Sequence, residues 1–152
     1  MNYGDIKSHF NNLLNRSDIT AALTETFIDQ GIARIQRQLR TPLNESVITY
    51  SLTGQTPAVT LPNNFMEIIS LYYEDNELQR IPMSKYRALA VSPIQGSPTT
   101  FIRQQQSLLV HPQPSTGSLV LYYNSEFSPM TQNTDENAIA AVAPDLIIYA
   151  AL

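Results

Sequence analysis

Cysteine is absent from this chain of 152 residues, so we expect neither a disulfide framework nor thiolate chemistry. The two histidines, His9 and His111, have no second histidine three or four residues away that would support a metal site, so we expect both at the surface. Charged residues make up only 14% of the chain, against about 25% in typical soluble domains. A chain so poor in charge either has a small surface or covers part of it with partners.

Long apolar runs are also missing. No run reaches the roughly 18 residues of a membrane span, and the opening MNYGDIKSHF has no apolar signal core. We therefore expect a soluble protein without membrane contact.

Positive charge is missing from the last third of the chain. No Lys or Arg follows Arg103, whereas Glu126, Asp135, Glu136 and Asp145 do, and the net charge is −4. This acidic balance argues against a dedicated nucleic-acid binder, which normally has a basic footprint. The same acidic balance is compatible with a protein through which nucleic acid passes without being bound.

Two helices are predicted before residue 42. Residues 3–15 have apolar side chains at helical spacing, with Asn2 as the cap, and a second helix runs from Thr20 or Thr24 to Leu39. Gly31 lies in the apolar face of the second helix, which predicts a close helix–helix crossing, because glycine otherwise costs a helix about 1 kcal/mol. The side chains of Arg34, Arg37 and Arg40 follow at three-residue spacing and form a basic ridge.

The residues after position 45 have the signals of short strands. Residues 47–52 alternate and are β-branched, a turn is predicted at 53–57, and 58–61 is a short return strand. Further strands are predicted at 66–73, 78–81, 99–104, 107–111 and 119–123. The polar residues 74–77 form a tight turn after the first of these, and 78–81 is its return strand. Gln104, Gln105 and Gln106 form a hairpin turn.

Two further helices are predicted. One spans residues 83–91, with Tyr86, Leu89 and Ala90 on one side, and the other runs from Asp145 to the last residue. Ala143-Pro144-Asp145 is a typical helix N-terminus, since proline is tolerated in the first turn and an acid suits the helix dipole. The short apolar helix that follows would be marginal alone. Either it packs on the first two helices, or the natural chain continues beyond Leu152.

The fold class predicted from these elements is α+β. The N-terminal helical hairpin and the C-terminal helix form a small helical core, into which an antiparallel β-rich lobe is inserted. We expect one domain over residues 1–152: residues 1–42 are helical, residues 46–124 form the lobe with a short helix near 83–91, and residues 143–152 start the last helix.

The order of these pieces resembles the head–tail adaptor (connector) proteins of tailed bacteriophages. The matching segments cover nearly the whole chain: YGDIKSHFNNLLNRSDI, TFIDQGIARIQRQLR, LPNNFMEIISLYYEDNELQRIP, FIRQQQSLLVHPQP, GSLVLYYNS and APDLIIYAAL. The resemblance implies a structural virion protein without enzymatic activity or a cofactor. It also implies a homo-oligomeric ring, usually a dodecamer, at the head–tail junction.

Such a ring binds the portal protein on one side and a tail nozzle or tail-tube protein on the other, and double-stranded DNA passes through its lumen without specific binding. Its subunits are made in the host cytoplasm. Members of the family usually continue the last helix into a tail that reaches toward the portal, and this sequence lacks that continuation.

Two groups of residues are candidate subunit or partner contacts. A cyclic ring needs two complementary flanks, and the basic ridge could meet the acidic Asp135, Glu136 and Asp145 of a neighbour, although these charges are also typical of solvated faces. The second group consists of Tyr72, Tyr73, Tyr122 and Tyr123. Because side chains alternate along a strand, one ring of each pair faces the core and the other faces out, where it serves either a partner or ordinary sheet packing.

Other classes of function have less support. A monomeric ligand- or carbohydrate-binding β module would use a concave aromatic site around Tyr72, Tyr73 and Tyr122. A small hydrolase would need two carboxylates across a cleft, but Glu74, Asp75 and Glu77 are explained by the polar turn.

Overall fold

Helices form at both ends of the chain and strands lie between them, so the predicted α+β class is confirmed. The computed structural model describes residues 1–54 and 58–152. Contacts divide these residues into a helical unit, Met1–Asn44 with Glu126–Leu152, and a β unit, Glu45–Ser125.

The described residues form five α-helices, and a short 3₁₀ helix spans Pro42–Asn44. The helices are α1 (Tyr3–Leu14), α2 (Ala21–Gln38), α3 (Met83–Ala90), α4 (Ala138–Val142) and α5 (Pro144–Ala151). The strands are β1 (Glu45–Thr53), β2 (Ala58–Thr60), β3 (Phe65–Tyr73), β4 (Asn76–Glu77), β5 (Gln79–Arg80), β6 (Thr100–Gln104), β7 (Ser107–His111) and β8 (Thr116–Ser125).

The first two helices begin at side-chain caps. The Asn2 side chain accepts a hydrogen bond from the backbone N–H of Asp5 at 2.9 Å, and the Thr20 hydroxyl accepts one from Leu23 at 3.3 Å. Each cap satisfies a backbone donor that has no partner inside the helix. The prediction of Asn2 as a cap is therefore confirmed, and of the two starts predicted for the second helix the observed one is Thr20 rather than Thr24.

Helix α4 was not predicted, although its cap is visible in the sequence. The Asn137 side chain accepts from the backbone N–H of Ala140 at 2.9 Å, and Ala143 then separates α4 from α5. With five residues α4 is too short to show helical periodicity, so the sequence predicts only a polar loop before it.

The core of the helical unit lies among α1, α2, α4 and α5. Phe10, Ile28 and Ile147 are among its fully buried side chains. A Cβ atom on Gly31 would lie 2.9 Å from the backbone nitrogen of Ala151 and 3.1 Å from the carbonyl carbon of Ala150. Glycine therefore lets α2 and α5 cross with their backbones in contact, as the sequence predicts, and the last helix packs on the first two.

The β unit consists of two four-stranded sheets. Their strand orders are β1-β8-β3-β4 and β2-β7-β6-β5, and all pairings are antiparallel except that of β5 with β6. Buried side chains of both sheets form one apolar cluster, in which Leu71, Leu108 and Leu121 have no exposed surface. The two sheets thus pack face to face around a shared core.

Two pairings predicted from the sequence are wrong. Strand β2 does not return along β1 but pairs with β7 in the second sheet. After the turn, Asn76 and Glu77 already form β4 on β3, whereas β5, predicted as the return strand, pairs with β6. The chain passes from one sheet to the other between β1 and β2 and again between β4 and β5. These pairings were not predictable locally, because the strand that each one pairs with is distant in sequence.

The hairpin of β6 and β7 is confirmed, with its turn at Gln105 and Gln106. Gln105 adopts a left-handed conformation, with φ of 53°. The turn predicted at residues 53–57 falls mostly on residues 55–57, which lie outside the described residues.

Candidate interaction surfaces

The four tyrosines lie on two neighbouring strands and alternate between the faces of the first sheet, as predicted. The Tyr72 and Tyr122 rings meet edge to face on the outer side, with centroids 5.8 Å apart. On the inner side, Tyr123 stacks on Phe65 with centroids 5.8 Å apart, and the Tyr73 hydroxyl donates to the Thr116 carbonyl at 2.9 Å. Tyr73 and Tyr123 therefore hold the β unit together, and Tyr72 and Tyr122 remain accessible to a partner.

A groove of about 660 Å³ surrounds the outer tyrosine pair. Val47 on β1, Ile69 on β3 and Tyr122 on β8 give it an apolar surface, and they are 58%, 47% and 44% exposed. Ile69 protrudes because the register of β3 against β8 shifts between Ile68 and Ser70, as in a β-bulge. The acidic side chains along the rim are Glu45, Glu74 and Asp75.

The predicted basic ridge lies on an exposed face of the helical unit. Arg34 and Arg37 belong to α2, and among the described residues neither side chain has a hydrogen bond or an ion pair. Arg40 lies beyond the helix end, and its guanidinium donates to the carbonyl of Gln36 at 2.6 Å. The guanidiniums of Arg34 and Arg37 are therefore available for contact with another molecule.

Two of the three acidic candidates are engaged within the chain. The Asp135 carboxylate accepts hydrogen bonds from the backbone N–H groups of Thr131 and Gln132, both at 2.8 Å. The Glu136 carboxylate pairs with the amino group of Met1. Asp145 is exposed in the first turn of α5, where it suits the helix dipole.

Replacing Asp135 is expected to change how stability depends on pH. The hydrogen bonds from Gln132 and Thr131 lower the pKa of this carboxyl below its ordinary value of 3.8. A lowered pKa stabilises the folded state above pH 3.8, and that contribution is lost as the pH falls through the folded value. Asp135→Asn should therefore unfold at a lower temperature than the unchanged protein at pH 7, and the difference should shrink below pH 3.8.

Thermal unfolding at a series of pH values measures this effect, and Glu126→Gln, at an exposed acid, is the matched control. Equal pH dependence of the two variants would contradict the assignment.

No arrangement typical of metal binding or catalysis occurs in the described residues. No three His, Asp or Glu residues gather in a way that could hold a metal ion there. The prediction of a surface position is confirmed for His9 and wrong for His111, which is buried at the end of β7. Its Nε2 has no hydrogen-bond partner in the described residues. No helix in the described part of the chain is both long and apolar enough to cross a membrane.

A further exposed surface escaped the sequence analysis. Helix α3 was predicted, with Tyr86, Leu89 and Ala90 on one side, but none of its residues is buried. Tyr86 and Leu89 are only half-buried, and burial raises the pKa of the Tyr86 hydroxyl. The signal for this exposed surface was the pair Lys85 and Arg87 among the apolar residues of α3. The same pattern is typical of an ordinary amphipathic helix with one buried face, so the sequence alone does not reveal the exposure.

Comparison with known proteins identifies the family. No curated protein matches the chain. A family model described as SU10 adaptor protein matches residues 1–152. This is a family of phage head–tail adaptors, structural proteins that assemble with portal and tail proteins at the head–tail junction of the virion. Because the match spans the whole chain, the protein belongs to the SU10 adaptor protein family.

Proposed function

We propose that residues 1–152 act as one adaptor domain that assembles into a ring between the portal and a tail nozzle or tail-tube protein. The observation that carries this proposal is the family match over the entire chain. Double-stranded DNA passes through the lumen, and the subunits assemble in the host cytoplasm. The ring is a dodecamer, as is usual for adaptors of this kind.

The mechanism is geometric rather than chemical. A closed ring requires one flank of each subunit to complement the other flank of its neighbour. The low charge of 14% suits a subunit that covers both flanks. The net charge of −4 limits retention of DNA during passage, because the phosphate backbone is repelled rather than bound.

The basic ridge is a candidate contact within this ring. Arg34, Arg37 and Arg40 on one subunit would face Asp135, Glu136 and Asp145 on the next. Support comes from the guanidiniums of Arg34 and Arg37, which have no partner among residues 1–54 and 58–152. Asp145 is the most available acid, since the carboxylates of Asp135 and Glu136 already have partners in the chain.

The ring is tested by native mass spectrometry and electron microscopy of the purified protein, alone and mixed with portal complexes of the same phage. We expect either a ring in solution or a monomer that forms a ring on the portal. A protein that stays monomeric and does not bind the portal complexes would contradict the proposal.

The ridge is tested by charge reversal. Arg34→Glu with Arg37→Glu should weaken ring formation or portal binding at least about tenfold, because close interfacial charge pairs contribute about 1.5 kcal/mol or more. The matched control, Arg34→Lys with Arg37→Lys, keeps the charge at the same two positions and should retain most of the assembly. Normal assembly of the charge-reversed variant would show that the ridge is not part of the interface.

A monomeric ligand- or carbohydrate-binding module is the second candidate, and the groove beside Tyr72 and Tyr122 is the observation that favours it. Tyr73, expected in that site, is half-buried on the other face of the sheet, where it packs against the core. This candidate would be supported over the ring if a stable monomer bound to glycans on an array and Tyr122→Ala abolished that binding.

A further inference from the structure

Charge is strongly segregated within the β unit. Its four cations lie between positions 80 and 103, and no acidic residue occurs between Glu77 and Glu126. Three of its five acids, Glu45, Glu74 and Asp75, line the groove on the outer face of the first sheet. The unit therefore has an acidic surface at the groove and a separate basic one on α3, where Lys85 and Arg87 are exposed.

The basic surface is also an apolar one. We call residues 83–94 the α3 segment. Its side chains Met83, Val91 and Ile94 are 41%, 82% and 57% exposed, and Lys85 and Arg87 lie among them. A helix of eight residues is marginal without packing of its apolar face, and α3 has no buried residue. The α3 segment thus has the composition of an interface, and Met83, Val91 and Ile94 stay largely uncovered by the described part of the chain.

The groove has the complementary composition. Val47, Ile69 and Tyr122 form its apolar centre, and Glu45 and Asp75 are exposed acids at its rim. An apolar centre with charged residues around it is the usual anatomy of a protein interface. Within one chain the two surfaces stay apart: α3 packs on β6 and β7 of the second sheet, whereas the groove opens on the outer face of the first.

We infer that the α3 segment of one copy binds in the tyrosine groove of the next copy. Lys85 and Arg87 then face Glu45 and Asp75, and the exposed apolar side chains of both surfaces leave water together. Because the two surfaces are different, the contact is head-to-tail. Each copy uses its α3 segment on one neighbour and its groove on the other, which is the condition for a ring. The inference rests on the proposed ring and names one of its contacts.

Cysteine cross-linking tests the contact directly, because the chain has no cysteine of its own. Val47→Cys with Val91→Cys places one thiol in the groove and one on the α3 segment, both at exposed positions. A bismaleimide should then join many copies into a ladder of covalent multimers, whereas either single variant gives at most dimers. The matched control, Val47→Cys with Gln106→Cys, uses an exposed residue outside both surfaces and should give at least tenfold less multimer.

A charge swap supplies the second test. Lys85→Glu with Arg87→Glu, and separately Glu45→Lys with Asp75→Lys, should each reduce self-association or ring formation on portals at least tenfold. Mixing the two variants should restore assembly to within threefold of the unchanged protein, since every segment then meets a groove of opposite charge. All four positions are exposed, so normal thermal unfolding is expected of both variants.

The outcomes separate the inference from the proposed function. A ring that forms without the cross-link ladder and without rescue by mixing would overturn this contact and leave the adaptor ring intact. Absence of any ring, alone or on portals, would overturn the proposed function. A ladder that forms only on portals would support both and make portal binding the trigger for assembly.

Discussion

Gly31→Leu is expected to destabilise the helical unit by about 1–3 kcal/mol or more, the range typical of overpacking in a well-packed core. The first atom of any side chain at this position would lie 2.9 Å from the backbone nitrogen of Ala151. Backbone cannot rotate away as a flexible side chain does, so α2 and α5 must separate. Even Gly31→Ala should destabilise, although alanine favours a helix by about 1 kcal/mol over glycine.

Urea denaturation followed by circular dichroism measures the loss, and hydrogen exchange of α2 and α5 locates it. Ala33→Leu is the matched control, because Ala33 lies exposed on the same helix and the change should stay within about 0.5 kcal/mol. Unchanged stability of Gly31→Leu would mean that the two helices do not cross at this point.

Leu121→Ala is expected to destabilise the β unit by about 2–5 kcal/mol. Leu121 has no exposed surface, and it lies on β8, which pairs with β1 on one side and β3 on the other. Truncation removes apolar contacts and leaves a cavity that strands held on both sides cannot close. The loss should appear in hydrogen exchange of β1, β3 and β8.

Leu121→Met serves as the control at the same position, because a swap that conserves volume usually costs less than about 1.5 kcal/mol. Equal losses in the alanine and methionine variants would argue against a close-packed core around this residue.

The helical unit was largely predictable, because its signals are local. Asn2 and Thr20 act within one helical turn, and apolar residues at helical spacing mark the buried faces of α1 and α2. Gly31 in an apolar face predicted the crossing, since only a close backbone offsets the cost of glycine. The sequence did not name α5 as the helix that crosses there, because that contact joins residues 120 positions apart.

The β unit was less predictable, because strand pairing is decided by distant residues. The strand at 58–60 has the same local pattern whether it returns along β1 or joins β7. His111 likewise looks like a residue at a strand end, and only the packing of the β unit buries it. The register of β3 and β8 fixed which tyrosine of each pair faces outward. A shift of one residue in that register would exchange the two faces.

The sequence by itself determined the class of elements, their order, the absence of cysteine chemistry and the positions of charge, because composition and periodicity are properties of the chain. Only the tertiary structure decided which charges are available. It engages the carboxylates of Asp135 and Glu136, and it exposes the apolar side chains of the α3 segment and the groove. The guanidiniums of Arg34 and Arg37 have no partner in the part of the chain that the structure describes. Availability depends on which groups neighbouring elements cover, and that is settled only when the chain has folded.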